Sequence, residues 1–235
     1  MRRRLFLGTL LTTVAGSRLA VAADAFPYGD SHVFAGHRNG QMIGHHALRF
    51  HEEGGQRQVA TSIDFAVRLL GMAVYKFSYR CYETWSADAF QALTSETDDD
   101  GKKYQVRANR AGDSLLVEHA GAEPTFKASS GGEPAPKDAS GRDILPARIL
   151  PSTHWNIAQV RQSRLLHTEY GTIYKVDISK GVRETIRTVT GSLPATRYDY
   201  TRDLQMSQWF DDRSRWVKST FNAPDGSVIE YTLQE

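Results

Sequence analysis

Ile63-Asp64-Phe65-Ala66-Val67-Arg68-Leu69-Leu70-Gly71-Met72-Ala73-Val74-Tyr75-Lys76-Phe77-Ser78-Tyr79-Arg80-Cys81 is the stretch that decides the fold. Ile63, Phe65, Val67 and Leu69 fall on one face of an extended chain, with Asp64 and Arg68 on the other. After Gly71 the period resumes as Ala73, Tyr75, Phe77, Tyr79 and Cys81, with Lys76, Ser78 and Arg80 opposite. A period of two fits a strand with one buried face and does not fit a helix. Gly71 marks a turn or a sharp bend. Cys81 is expected on the buried face. Phe77 is expected in the core, and Tyr79 nearer a rim.

The same alternation continues on both sides. His32, Phe34 and Gly36 alternate up to Asn39-Gly40, a dipeptide that accepts positive φ at both residues and so predicts a hairpin. The return strand covers about 42–50. Further strands are expected near 90–97, 104–109, 114–119, 165, 173–178 and 183–190. A closing antiparallel series covers 197–202, 204–210, 216–221 and 228–233. The breaks are turn sequences such as Asp98-Asp99-Asp100-Gly101 and Asn222-Ala223-Pro224-Asp225-Gly226. One short helix is expected over 155–162, with Ser152 or Thr153 as its cap. Residues 127–143, containing Ser129-Ser130-Gly131-Gly132 and Pro134-Ala135-Pro136, are expected to form a mobile loop. Many short strands joined by tight turns predict an all-β fold. The expected form is an antiparallel meander curled into a strongly curved sheet or half-open barrel.

The amino terminus points to a compartment. Arg2-Arg3-Arg4 precede Leu5-Phe6-Leu7, a short apolar stretch, and Ala20-Val21-Ala22. This is the pattern of a twin-arginine export signal, with an ordinary secretion signal with a basic start as the alternative; cleavage is expected after Ala22, with Ala23-Asp24-Ala25 as a second site. Residues 1–22 are thus expected to be a signal peptide and 23–235 a single periplasmic or secreted domain. The leader holds four arginines and no acid, so the formal charge of +2 becomes −2 on its removal. A near-neutral domain gives no reason to expect nucleic acid as a partner. No segment approaches the roughly 20 apolar residues of a membrane span. Cys81 is the single cysteine, which leaves no internal disulfide. The chain is expected to be monomeric.

Candidate sites are few. His32, His37, His45, His46 and His51 cluster early, but no acid or cysteine pattern completes a zinc site, and they are expected on the surface of the first hairpin. Asp98-Asp99-Asp100-Gly101 lacks the further ligands of a calcium loop and is expected to be a solvated turn. No cofactor motif is present. Thr153-His154-Trp155-Asn156 is the most chemically concentrated segment. His154 and Asn156 could serve as base and amide donor of a hydrolytic site. Alternatively Trp155 plugs the sheet opening and Asn156 ties down backbone groups. Tyr75, Tyr79, Trp85, Trp155, Asn156 and Trp209 are the candidate ligand-binding residues, drawn largely from a strand-borne aromatic inventory.

Four ordered stretches carry a resemblance. They are Asn39-Gly40-Gln41-Met42-Ile43-Gly44-His45, the tyrosine-rich run from Tyr75 to Trp85, Thr153-His154-Trp155-Asn156 with Leu165-Leu166 and Gly171, and Gln208-Trp209-Phe210-Asp211 through Trp216 and Asp225-Gly226 to Leu233. The chain resembles a family of exported bacterial proteins described as domain of unknown function 6134. It departs from the family pattern at His154, where members often have an aromatic residue, and at His167, often Asn. The resemblance implies export and a β-rich fold, and it transfers no catalytic residue. The leading expectation is a non-enzymatic binding or carrier protein for an apolar or amphipathic, lipid-like molecule. The alternatives are a hydrolase using His154 and Asn156, and an envelope assembly factor that binds proteins through a sheet edge.

Overall fold

The computed structural model describes residues 26–121, 141–188 and 191–234. Its strands are β1 (Ser31–Arg38), β2 (Gln41–Glu53), β3 (Gln56–Leu69), β4 (Met72–Ser86), β5 (Ala89–Asp99), β6 (Lys102–Ala111), β7 (Ser114–Gly121) and β8 (Gly141–Pro146), followed by β9 (Leu150–Pro151), β10 (Arg164–Leu166), β11 (Ile173–Ile178), β12 (Val182–Thr188), β13 (Gly191–Arg202), β14 (Met206–Asp211), β15 (Trp216–Asn222) and β16 (Val228–Gln234). They form one curved, unclosed sheet in the order β8-β7-β6-β5-β4-β3-β2-β1-β16-β15-β14-β13-β11-β10-β9, with β12 paired to β13 beside it. The fold is all-β, as the alternation predicts. Pairing is antiparallel except between β9 and β10. Curling is the physical answer to the long apolar face, because a flat sheet of this width would leave that face in water.

The hairpins obey turn chemistry. Asn39-Gly40, Leu70-Gly71 and Asp100-Gly101 each form a two-residue loop with positive φ at both positions. That is the conformation whose twist matches the flanking strands.

Inward side chains stack in rows across the sheet. One row runs Phe50, Val59, Glu83, Leu93, Ala108, Val117. The next runs Leu48, Thr61, Cys81, Ser95, Val106, His119, and the third Phe34, His46, Ile63, Tyr79, Thr97, Tyr104. These residues are buried. A fourth row, Gly36, Gly44, Phe65, Phe77, Asp99, lies toward the β3–β4 turn, and Phe65 and Phe77 there are only half-buried.

Several expectations are corrected. Tyr79 is deeply buried and Phe77 nearer the open end, the reverse of the sequence reading. His32 and His46 are buried, not surface residues, because they share the inward parity of Phe34 and Leu48. Asp99 points inward from the turn sequence. The helix is a single 3-10 turn, Ile157–Arg161, capped by Asn156 rather than Ser152 or Thr153. Gly141–Asp143, expected in the loop, belong to β8. The rest of that expected loop, 127–140, and the signal segment 1–22 lie outside the described residues.

Candidate functional site: a plugged interior and an aromatic mouth

After β9 the chain turns into the concave side of the sheet and fills it. Four residues of this plug are anchored by hydrogen bonds. Trp155 takes the Tyr28 hydroxyl on its carbonyl at 2.6 Å, and Tyr28 in turn accepts the Trp216 N–H at 2.7 Å. His154, at φ 71, accepts amide N–H groups from Gln159 and Gln208 on its carbonyl, both at 2.9 Å. Asn156 accepts the Ala158 N–H on its side chain at 2.9 Å, which satisfies a free donor of the 3-10 turn. Thr168 accepts the Tyr79 hydroxyl at 2.7 Å on its own hydroxyl and the Ser95 hydroxyl at 2.5 Å on its carbonyl.

Glu83 is the polar centre of this packing. It is 2 % exposed and receives the indole N–H of Trp85 at 2.9 Å and of Trp155 at 3.2 Å. Burial pushes its carboxyl up to about 7, and the hydrogen bonds from Trp85, Trp155 and Thr153 hold it from rising further. The imidazoles are pushed the other way. Burial takes His154 down to about 4, and burial with the nearby His154 takes His167 down to about 3. His46 is lowered well below its ordinary value by burial, then by His154 and His32. All three are therefore neutral at pH 7. Neither ring nitrogen of His46 has a hydrogen-bond partner among the described residues.

The other chemistry gathers at the end of the sheet near the β3–β4 turn. Phe65, Phe77, Tyr75 and Phe221 are half-buried there, and Phe65 and Phe221 both contact the Tyr231 ring at 5.7 Å. Gly36 and Gly44 make room for Phe65. A Cβ on Gly36 would lie 2.5 Å from its ring, and one on Gly44 1.9 Å from the Asp64 carbonyl. Two carboxyls face this mouth. Asp99 accepts the Tyr75 hydroxyl at 2.6 Å, and burial followed by the Asp99 charge pushes Glu169 up to about 7. His167 stacks on Tyr170 at 4.7 Å, and Tyr170 meets Tyr104 edge-on at the same separation.

The sequence-predicted residues thus separate into three places. Trp85 and Trp155 meet edge-to-face at 5.1 Å over Glu83. Tyr75 stands at the mouth, Tyr79 two rows deeper. Trp209 lies apart, on the opposite face of β14, packed with Ile186, Ala195 and Val217 and donating its indole N–H to Glu184. His154 packs 5.2 Å from the Trp216 ring, and the Asn156 side chain is occupied by its cap. Glu83, Asp99 and Glu169 escaped the sequence reading. Parity held the signal for Asp99, since Leu93, Ser95, Thr97 and Asp99 alternate into the interior. No metal-holding cluster of His, Cys, Asp and Glu occurs among the described residues. No helix among them is long and apolar enough to cross a membrane.

A family model described as domain of unknown function DUF6134 matches residues 34–234. No curated protein matches the chain. Among solved structures, the chain is similar to a β-barrel-like protein of domain of unknown function DUF1849 from Brucella abortus. The TM-score is 0.56 and the identity 9 %, over 87 % of this chain and 95 % of that one. A likeness at this identity speaks for the fold alone.

Proposed function

We propose, for a chain that belongs to the family described as domain of unknown function DUF6134, that it is an exported envelope protein that binds an amphipathic, lipid-like molecule at the mouth of its sheet and acts as a carrier rather than a catalyst. The observation that carries this reading is the contrast between rows. The rows from Phe50 to Tyr79 are buried against the plug, whereas Phe65, Phe77, Tyr75 and Phe221 are only half-buried at one end. Half-buried aromatic rings around a concave end are the usual lining of an apolar-ligand site. His154 and Asn156 have structural work in this reading, as anchor and cap.

Asp99 and Glu169 add a preference. A ligand whose polar end reaches them meets acceptors and partial negative charge, so hydroxyl or ammonium head groups are favoured over carboxylates. Export is supported by Arg2-Arg3-Arg4 and the apolar stretch after them. Native mass spectrometry of protein purified from the bacterial envelope is expected to reveal a bound apolar mass. Added monoacylglycerol is expected to bind better than the matching fatty acid. Ligand-free ions in every preparation, with no uptake of either probe, would overturn the carrier reading. Lysines in place of Arg3 and Arg4 are expected to abolish export by the twin-arginine route.

A further inference from the structure

The β3–β4 turn exposes an apolar run at an outer extreme of the sheet. Leu69 is 62 % exposed, Leu70 92 %, Met72 69 % and Val74 53 %. Local chemistry argues against this choice of residues twice. The first position of the loop has φ 51, a conformation that the sister turns give to Asn39 and Asp100, and here it holds a leucine. That leucine is also the most exposed large hydrophobic residue among the described residues. A sequence serving only the turn would place a small polar residue there.

We infer that this hairpin tip is a membrane-docking element that inserts into the interface of a phospholipid bilayer. Three observations favour a bilayer over a protein partner. First, the apolar groups point both ways: Leu69 and its cross-strand partner Met72 share one face of the hairpin, Ala73 lies opposite Arg68 on the other beside the bulge at Val74, and Leu70 stands in the turn. A rigid protein surface covers one face, whereas lipid surrounds an inserted loop on all sides. Second, the length fits. Two to three residues at about 3.4 Å each reach roughly 7 to 10 Å past Arg68, the depth at which interfacial elements rest, about 5 to 10 Å. Third, cations follow immediately. Arg68 and Lys76 are exposed behind the tip, and neither side chain lies in an ion pair among the described residues. Arg68, whose guanidinium donates to the Gly71 carbonyl at 3.3 Å, also lines a concavity of about 430 Å³ with Gln41, Met42, Ile43, Val67 and Arg38; Arg38 is paired with Asp225, so Arg68 is the cation there that a head-group phosphate would meet. The nearby β5–β6 turn carries Asp98 and Asp100 beside Lys102 and Lys103, so the collar is mixed in sign. Apolar immersion therefore supplies most of the attraction.

This inference goes beyond carriage of a ligand and needs none in the mouth. The test is flotation of the protein lacking residues 1–22 with phosphatidylcholine vesicles containing phosphatidylglycerol. Leu70→Asp and Met72→Asp, both at exposed positions, are each expected to lower the vesicle-bound fraction about ten-fold or more. Ile144→Asp makes the same charge change at another exposed apolar residue and is expected to bind as wild type. Leu70→Trp is expected to shift its fluorescence to the blue on vesicle addition. Equal binding by wild type and Leu70→Asp overturns the proposal. So does absence of wild-type binding, including a tip-dependent dimer that forms in place of it.

Discussion

Trp85 and Trp155, from β4 and from the plug, donate their indole N–H groups to the same carboxylate, that of Glu83, at 2.9 Å and 3.2 Å. The plug is thus tied to the sheet by a buried acid whose carboxyl is raised to about 7. A raised acid binds its proton more tightly folded than unfolded, so its favourable contribution is complete below its ordinary value of 4.5. That contribution is lost as pH rises through about 7. Glu169 shifts the same way, so wild type must be compared with Glu83→Gln, whose amide oxygen still accepts the indoles. Urea unfolding is expected to show the variant gaining on wild type by about 3 kcal/mol between about pH 5 and pH 8. A constant difference between the two proteins across that range would show that Glu83 does not titrate there. Glu83→Leu removes the acceptor from both indoles and is expected to cost about 2 to 4 kcal/mol.

Gly36 and Gly44 face the same phenyl ring for different reasons, and substitution separates them. A methyl on Gly36 meets the Phe65 side chain first, whereas one on Gly44 meets the Asp64 carbonyl at φ 149. Gly36→Ala is expected to cost about 1 to 3 kcal/mol and to be relieved in the Phe65→Leu background. Gly44→Ala is expected to cost about 2 to 4 kcal/mol with no such relief. Thermal unfolding of the three single and two double variants decides this; equal relief for both would mean that the backbone is not the obstacle at Gly44.

The depth of Tyr79 relative to Phe77 sets a third expectation. Tyr79 is 4 % exposed and its hydroxyl holds Thr168 of the plug, while Phe77 is half-buried at the mouth. Tyr79→Ala is expected to cost about 3 to 5 kcal/mol, and Phe77→Ala about 1 to 3 kcal/mol because less of its surface leaves water on folding. Tyr79→Phe isolates the hydroxyl and is expected to cost about 1 kcal/mol. Denaturant midpoints give the order, and a larger loss at Phe77 would place the centre of the core one row nearer the mouth.

These contrasts show where the sequence was legible. Ile63 to Cys81 announce a two-stranded inward face because every second residue is apolar, and Asn39-Gly40 and Asp100-Gly101 announce their own turns. Curvature follows from too much apolar face for a flat sheet. The candidate site was less legible. Asp99 was hidden by its neighbours, since three consecutive aspartates before a glycine look like solvated turn chemistry. Glu169 belongs to an irregular segment with no period at all. Trp209 misled for the opposite reason: its size marks it as buried, and it is, but under β12 on the far side of β14. Alternation tells which residues share a face. It does not tell when an outer face acquires a small core of its own.

His46 gives the last expectation, from the same limit of residue type against position. It occupies the inward row between Phe34 and Ile63, 5.0 Å from the Trp216 ring and 5.3 Å from Tyr231, with both nitrogens unpartnered. Its imidazole is lowered by burial first, then by His154 and His32. A lowered base favours the fold fully above its ordinary value of 6.5 and loses that advantage as pH falls, because the unfolded chain takes the proton first. His46→Leu removes both the orphaned polar atoms and this acid sensitivity. It is expected to be about 1 kcal/mol more stable than wild type near pH 8, and further ahead as pH falls toward 5. Parallel stability curves for the two proteins across that interval would mean that His46 finds a partner in solution. Greater stability of wild type at both pH values would mean that the imidazole is held by packing that leucine cannot reproduce.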